Sequence, residues 1–474
     1  MSTKKTTKHS KAARLSKAAK AGKAAEGSKA IKAAGTPVQG KAAEGAKAQK
    51  GTKVRKAAVA EKSPVKAAAE EKAPKKPQAE KTSKRKHSYM PLDFLMRLTR
   101  TPYILTRTLK GLIRKHLTVK FDYNFLDGKS LPLTQISIKI TNLCNLRCKM
   151  CGQWGEKGYN LAKPNTELKE VVPLETYKRM VDEVAHLKPL IYIWGGEPFL
   201  YPDLIPLVRY MKEKDFVISL VTNGIKLKEY AEEIVKTRWE ALMLSLDGTK
   251  EIHNEIRGSK DCFDTLARGI DAVQKEKKKR NSTLPYIMVL VTVSRDNAHI
   301  LDKILAMGKE IQADCMIIYY SWFTSEEVGK AHTKVLRKYL GCTPTAWRGY
   351  VQDVHKIDLE ALKECVAKIK STRYPFPYLF IPDLPIDKID QYYREPGNFF
   401  GYGKCVTPWL ITELMPNGDV SPCRDYPDYI VGNIRDNSLL EIFNNEKYQK
   451  FRKALKEAGG VFPICARCCG LMGF

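Results

Sequence analysis

Residues Thr141–Glu156 read TNLCNLRCKMCGQWGE, and three cysteines, Cys144, Cys148 and Cys151, fall within eight residues of it. The loop follows QISIKIT (135–141), whose alternating, β-branched character predicts a strand. Three thiolates spaced Cys-x3-Cys-x2-Cys on one short loop can hold three corners of an iron–sulfur cube, and nothing local supplies a fourth ligand. A centre short of one protein ligand is open to a substrate or cofactor. Two other readings exist: three buried small apolar side chains, which would show no fixed spacing, or half of a zinc site, which more commonly shows paired Cys-x2-Cys.

Outward from this loop the chain alternates short apolar runs with amphipathic helices. A helix over 174–187 carries Tyr177, Met180, Val181, Val184 and Leu187 on one face. Strand LIYIWG then precedes a helix near 204–212, and strand FVISLVTNG a helix near 230–236. ALMLSLDG, YIMVLVTVS and CMIIYY follow, separated by helices near 263–279 and 298–311. Six strand–helix alternations predict an α/β fold with right-handed crossovers, a partial (β/α)6 barrel. The loops after its strands, CNLRCKMC, GGEP, TNG and SLDG, would gather at the C-terminal edge, where barrels of this kind keep their chemistry.

CNLRCKMC followed one strand–helix unit later by GGEP (Gly195, Gly196, Glu197, Pro198) resembles the radical S-adenosylmethionine (SAM) superfamily over residues 134–474. The resemblance implies a 4Fe–4S cluster held by Cys144, Cys148 and Cys151, whose fourth iron is chelated by SAM. It further implies an electron donor such as flavodoxin or ferredoxin, and one-electron cleavage of SAM to a 5′-deoxyadenosyl radical that abstracts a hydrogen atom. By the same resemblance Met150 packs near the adenine and the GGEP residues bind the methionine end of SAM. Ser245 and Asp247 are candidates for the ribose hydroxyls, with Thr222 and Asn223 at the matching end of the third strand. Arg257 is a candidate partner of the SAM carboxylate; its alternative is a surface ion pair.

The C-terminal part carries a second constellation. In CVTPWLITELMPNGDVSPC, Cys405 is followed by twelve residues, Gly418, four residues and Cys423; CARCCG adds Cys465, Cys468 and Cys469. This is similar to the SPASM/twitch extension of radical SAM enzymes, a hairpin and helix carrying an auxiliary cluster. MPNGDV suits the hairpin turn, with Asn417-Gly418 supplying positive φ. The resemblance implies that Cys405, Cys423, Cys465 and Cys468 ligate one auxiliary 4Fe–4S cluster, with Cys469 a rival to Cys468; zinc is the alternative. Five residues follow Cys469, so one auxiliary cluster is the expectation rather than the two of the full SPASM form. Cys262, Cys315, Cys342 and Cys365 share no spacing and read as structural.

The net charge of +30 is concentrated at the N-terminus. Residues 1–90 hold 25 Lys/Arg against 6 Asp/Glu, leaving 57 against 46 for the rest. With 22 Ala and one aromatic, that stretch cannot bury enough apolar surface to offset its ordering entropy, and it reads as a disordered basic tail similar to those of linker histones. It could bind nucleic acid or another polyanion, or serve as a spacer. Residues 91–133 read as a basic helical extension divided at Pro102. Leu105, Leu109, Leu112 and Ile113 form its apolar face, expected to dock on the domain, with an anionic membrane surface as the alternative. The domain reading is completed by a barrel over 134–340, a connecting region over 341–400 and the extension over 401–474, with residues 321–400 expected to shape the substrate pocket. No apolar run is long enough to span a bilayer and no secretory signal is evident, so a reducing cytoplasm is expected, with peripheral membrane contact an option. The substrate, peptide, protein or sugar-like molecule, is not readable here. The alternative function is a non-catalytic iron–sulfur protein tethered to nucleic acid by its tail, which would have no need of an open iron.

Overall fold

In the computed structural model, residues 96–472 are described. The basic tail over 1–90 and residues 91–95 of the helical extension lie outside them.

The six expected strands form where the apolar runs fall. They are β1 (Gln135–Lys139), β2 (Leu190–Trp194), β3 (Ile218–Thr222), β4 (Ala241–Ser245), β5 (Tyr286–Thr292) and β6 (Cys315–Tyr319), each paired in parallel with the next. The sheet then extends past both edges. β7 (Tyr378–Ile381) adds in parallel beside β6, and β8 (Ile411–Leu414) adds in parallel on the free side of β1. Antiparallel β9 (Asp419–Ser421) and β10 (Gly432–Asn433) complete ten strands in the order β10-β9-β8-β1-β2-β3-β4-β5-β6-β7. The segment between barrel and extension thus supplies a barrel strand, and the extension continues the barrel's own sheet.

Helices cover the outer face. The basic helix α1 (Pro102–Lys120) precedes the barrel; α2 (Leu174–Val184), α3 (Leu204–Glu213) and α4 (Leu227–Lys236) follow β1, β2 and β3. α5 (Lys250–Arg257) and α6 (Cys262–Lys279) follow β4, α7 (Leu301–Glu310) follows β5, and α8 (Glu326–Leu340) follows β6. The periodicity argument holds for α2, whose Tyr177, Met180, Val181 and Val184 are its buried residues. Each such side chain stabilises the fold by roughly 1.5–3 kcal/mol.

The hairpin turn between β8 and β9 differs in detail from expectation. Only Gly418 takes positive φ, +90°; Asn417 instead accepts the Asp419 N–H at 3.2 Å, an Asx turn that does the same work through its side chain. α8 packs toward the extension, with His332 between the rings of Tyr426 and Phe462, at centroid distances of 6.2 and 5.9 Å. Burial lowers the His332 pKa to about 3.

Docking of the basic helix is confined to one side of it. Ile104 and Thr118 are its buried residues, and Leu105 packs on a small cluster with Leu284, Tyr286 and Cys315. Leu109, Leu112 and Ile113, expected to face the domain, are exposed. The polar contacts explain this. Tyr103 donates to Glu240 at 2.8 Å, Arg107 to the Asp215 carbonyl at 2.6 Å, and Arg114 to Asp122, fixing the rotation of the helix with those apolar residues outward.

Candidate active site

The loops after β1, β2, β3 and β4 converge on one cavity of about 260 Å³ at the C-terminal edge of the strands. Cys144, Cys148 and Cys151 all line it, and every cysteine among the described residues is free. Each of the three sulfurs faces a donor. The Leu146 N–H approaches Cys144 Sγ at 3.5 Å, the Trp154 N–H approaches Cys151 Sγ at 3.4 Å, and Arg257 approaches Cys148 Sγ at 3.6 Å. Donors aimed at sulfur suit thiolates that carry the negative charge of an iron–sulfur centre and tune its potential. Without metal, burial pushes the Cys144 thiol up to about 12. This donor set fits a cluster bound by three thiolates.

Gly195 and Gly196 are needed by the loop itself. A Cβ on Gly196 would stand 2.1 Å from the Leu143 carbonyl oxygen, and one on Gly195, at φ +152°, 2.6 Å from that of Thr141. The Gly196 N–H donates to the Thr141 carbonyl and the Glu197 N–H to that of Leu143, both at 2.8 Å. The end of β2 is thereby pinned against the start of the cysteine loop, and only glycine permits that approach. Both glycines also line the cavity, as do Met150, Thr222, Asn223, Ser245 and Arg257.

Three expected ligand contacts take different positions. Glu197 is fully buried and does not line the cavity. Its Oε1 accepts from Phe199 N–H at 3.2 Å and Thr222 Oγ1 at 2.8 Å, and its Oε2 from Asn223 N–H at 2.9 Å. A carboxylate so occupied ties β2 to β3 and has no oxygen aimed at a ligand's ammonium; burial raises its pKa to about 7. Pro198 opens a buried 3-10 turn behind the glycines. Asp247 is likewise fully buried and outside the cavity lining, accepting from Thr292 N–H at 2.8 Å and pairing with Arg257. Arg257 is therefore in a buried ion pair, not a surface one, and that pair aims its guanidinium at Cys148.

The lining also holds Trp322 and Tyr350, from the region expected to shape the pocket, and Cys469, expected as a candidate cluster ligand; Tyr192, Tyr319 and Arg424 were not named from sequence. Inward alternation along β2 and β6 was the available signal for Tyr192 and Tyr319; nothing local marks Tyr350 or Arg424. Gly152 makes room for Tyr350, whose ring would lie 2.6 Å from a Cβ there.

Cys405 and Cys423 act electrostatically on Cys465, and Cys469, Cys465 and Cys423 on Cys468. Cys469 also lines the main cavity, where it accepts from Arg424. A single oxygen of Asp425, Oδ2, accepts from both Cys468, at 3.1 Å, and Cys469, at 3.6 Å. Among the described residues no three His, Cys, Asp or Glu side chains converge as tightly as a single metal ion requires.

The profile of the Radical SAM superfamily matches residues 138–304, and that of the SPASM iron–sulfur cluster-binding domain matches residues 405–469. An AdoMet-dependent heme synthase of Methanosarcina barkeri is 25% identical over 359 residues, covering 70% of this chain and 90% of that one. A PqqA peptide cyclase of Rhodopseudomonas palustris is 23% identical, covering 71% and 79%. Among solved structures, SuiB of Streptococcus suis aligns with TM-score 0.49 and 15% identity over 79% of this chain and 81% of that one.

Proposed function

The chain belongs to the radical SAM superfamily and carries a C-terminal SPASM domain, and from that premise we propose an enzyme that abstracts a hydrogen atom from a peptide, protein or sugar-like substrate held between its two cysteine groups. Its cofactors are a 4Fe–4S cluster, SAM and a further iron–sulfur centre of the SPASM domain. When bound, they supply one-electron cleavage of SAM to a 5′-deoxyadenosyl radical and a path for electrons away from the substrate.

In this reading Cys144, Cys148 and Cys151 hold the first cluster, and Arg257 screens the charge at Cys148. Gly195 and Gly196 present backbone to the methionine end of SAM, while Met150, Thr222, Asn223 and Ser245 line the nucleoside side. Glu197, Pro198 and Asp247 act from behind, keeping the strand ends in place. Cys405, Cys423, Cys465 and Cys468 hold the auxiliary centre with no ligand position left open, which suits electron transfer. Substrate lies against Tyr192, Tyr319, Trp322 and Arg424, whose walls exclude water from a reactive radical. Reduction by a flavodoxin or ferredoxin in a reducing cytoplasm completes the proposal. Support for a maturase or oxidoreductase reading comes from relatives that include a heme synthase and a peptide cyclase.

The carrying observation is one cavity lined both by Cys144, Cys148 and Cys151 and by Arg424, Asp425 and Cys469 of the SPASM domain. Anaerobic reconstitution, iron counting and assay of 5′-deoxyadenosine test it. About eight irons are expected for two clusters, with cleavage in Cys144→Ala below about one-thousandth of the parent. No cleavage by the fully loaded, reduced parent would overturn the enzyme reading.

A further inference from the structure

At the opposite end of the barrel the helix α1 presents a surface that the chemistry does not use. Leu109, Ile113, Leu117, Phe121 and Phe125 recur every fourth residue and are between 43% and 72% exposed. Together with Leu112 and Leu131 they make up seven of the nine exposed large apolar side chains among the described residues. Phe121 and Phe125 continue the stripe beyond the end of α1, their rings 5.7 Å apart.

This face is held outward. Asp122, fully buried, accepts from Ser130 Oγ and Leu131 N–H at 3.1 Å each and pairs with Arg114, locking the C-terminal end of the helix while Tyr103 and Arg107 lock the other. Between α1 and the N-terminal ends of the strands lies a further cavity of about 870 Å³, walled by Met288, Ile317, Leu379 and Ile411 and rimmed by Lys110 and Lys188. The helix is therefore a brace across the base of the barrel with open apolar space beneath it.

Charge selects the occupant. Residues 96–125 contain seven Lys/Arg and one Asp, and α1 has no acidic residue. The chain's own N-terminal residues, 25 Lys/Arg against 6 Asp/Glu, carry the same sign, and a second copy of this face would bring cations against cations. A nucleic-acid backbone would meet the cations but leave five Leu, Ile and Phe side chains in water. A surface that is anionic at its headgroups and apolar beneath them meets both. We propose that α1 and the residues up to Phe125 form an interfacial docking face for anionic phospholipid bilayers, seating the barrel base on the membrane with the cysteine end pointing away. This does not depend on which reaction the cavity performs.

The test is flotation of the full-length reconstituted protein with vesicles of phosphatidylcholine plus phosphatidylglycerol, against phosphatidylcholine alone. The triple variant Ile113→Ser, Leu117→Ser, Phe125→Ser changes no charge, so adsorption through basic residues alone is untouched by it. The parent is expected to float with the mixed vesicles, and the triple variant to show bound protein reduced at least about tenfold with its circular dichroism unchanged. Equal flotation of parent and variant, or none by the parent, overturns the proposal. So does a parent dimer that the triple variant dissolves in gel filtration without lipid, which would assign the stripe to a second copy. An Ile113→Trp variant gives an independent reading: its added emission should shift to the blue and be quenched by brominated lipid, and an unchanged spectrum overturns the assignment.

Discussion

The two ends of the barrel are built from the same strands and differ in nearly every physical respect. At the C-terminal ends, polar backbone and side-chain donors converge on three sulfurs, and the buried carboxylates of Glu197 and Asp247 are occupied by named partners. At the N-terminal ends the strands open onto an apolar space spanned by one basic helix. A parallel sheet sends every βα loop to the same edge, so chemistry accumulates there and the other edge is free to acquire an unrelated task. The difference teaches that the cavity at one end and the exposed stripe at the other should respond independently to mutation.

The largest effect expected of a single substitution in the supporting frame is at Asp247. Its removal in Asp247→Ala leaves Arg257 buried without its anion, costing about 3–5 kcal/mol. Urea denaturation should show that loss, while lipid flotation of the folded fraction stays at the parent level; a loss of both would break the independence of the two ends. A smaller effect separates neither end but tests the frame between them. His332 has its folded pKa lowered from 6.5 to about 3 by burial. Between those values the unfolded chain binds the extra proton, so stability is lost as pH falls from about 6.5 toward 3. His332→Leu should therefore narrow the gap in urea midpoint between pH 7.5 and pH 5, by about 1–2 kcal/mol at the lower pH; an unchanged gap would place the acid sensitivity elsewhere. The smallest effect is expected of Lys110→Glu at the barrel base. Binding to anionic vesicles should weaken about fivefold, with 5′-deoxyadenosine formation unchanged, and altered turnover would show that the ends communicate.

The parts legible in the sequence were those fixed by local spacing. Apolar runs bounded by Gly and Pro predicted β1 to β6, and a Cys-x3-Cys-x2-Cys loop after the first of them predicted three thiols at one edge, where the structure brings them together. What stayed hidden depended on distant partners. The run YLFI at β7 is short and preceded by Pro, and only the exposed edge of β6 makes it a strand. Glu197 and Asp247 were expected as ligand contacts by resemblance to the radical SAM superfamily; that their oxygens are taken by Asn223 and Thr292 is a tertiary matter. Cys468 and Cys469 are neighbours in sequence, and only the fold shows that both reach the same oxygen of Asp425 while Cys469 also meets Arg424. For α1, helical periodicity found the apolar residues but not which side the Tyr103, Arg107 and Arg114 contacts would turn toward solvent.

The pairing of β1 with β8 has a consequence for how the protein is made. Gln135 pairs with Ile411, a separation of 411 − 135 = 276 residues. At 5–20 residues per second the ribosome needs roughly 15 to 55 seconds to supply that partner. Throughout that interval the strand leading into the first cysteine loop has one bare edge, a template for wrong pairing. The SPASM segment is thus the last piece of the barrel to arrive, and a nascent chain stopped before residue 411 carries Cys144, Cys148 and Cys151 next to an unprotected strand. Chaperone occupancy of stalled chains should fall sharply once β8 has cleared the exit tunnel.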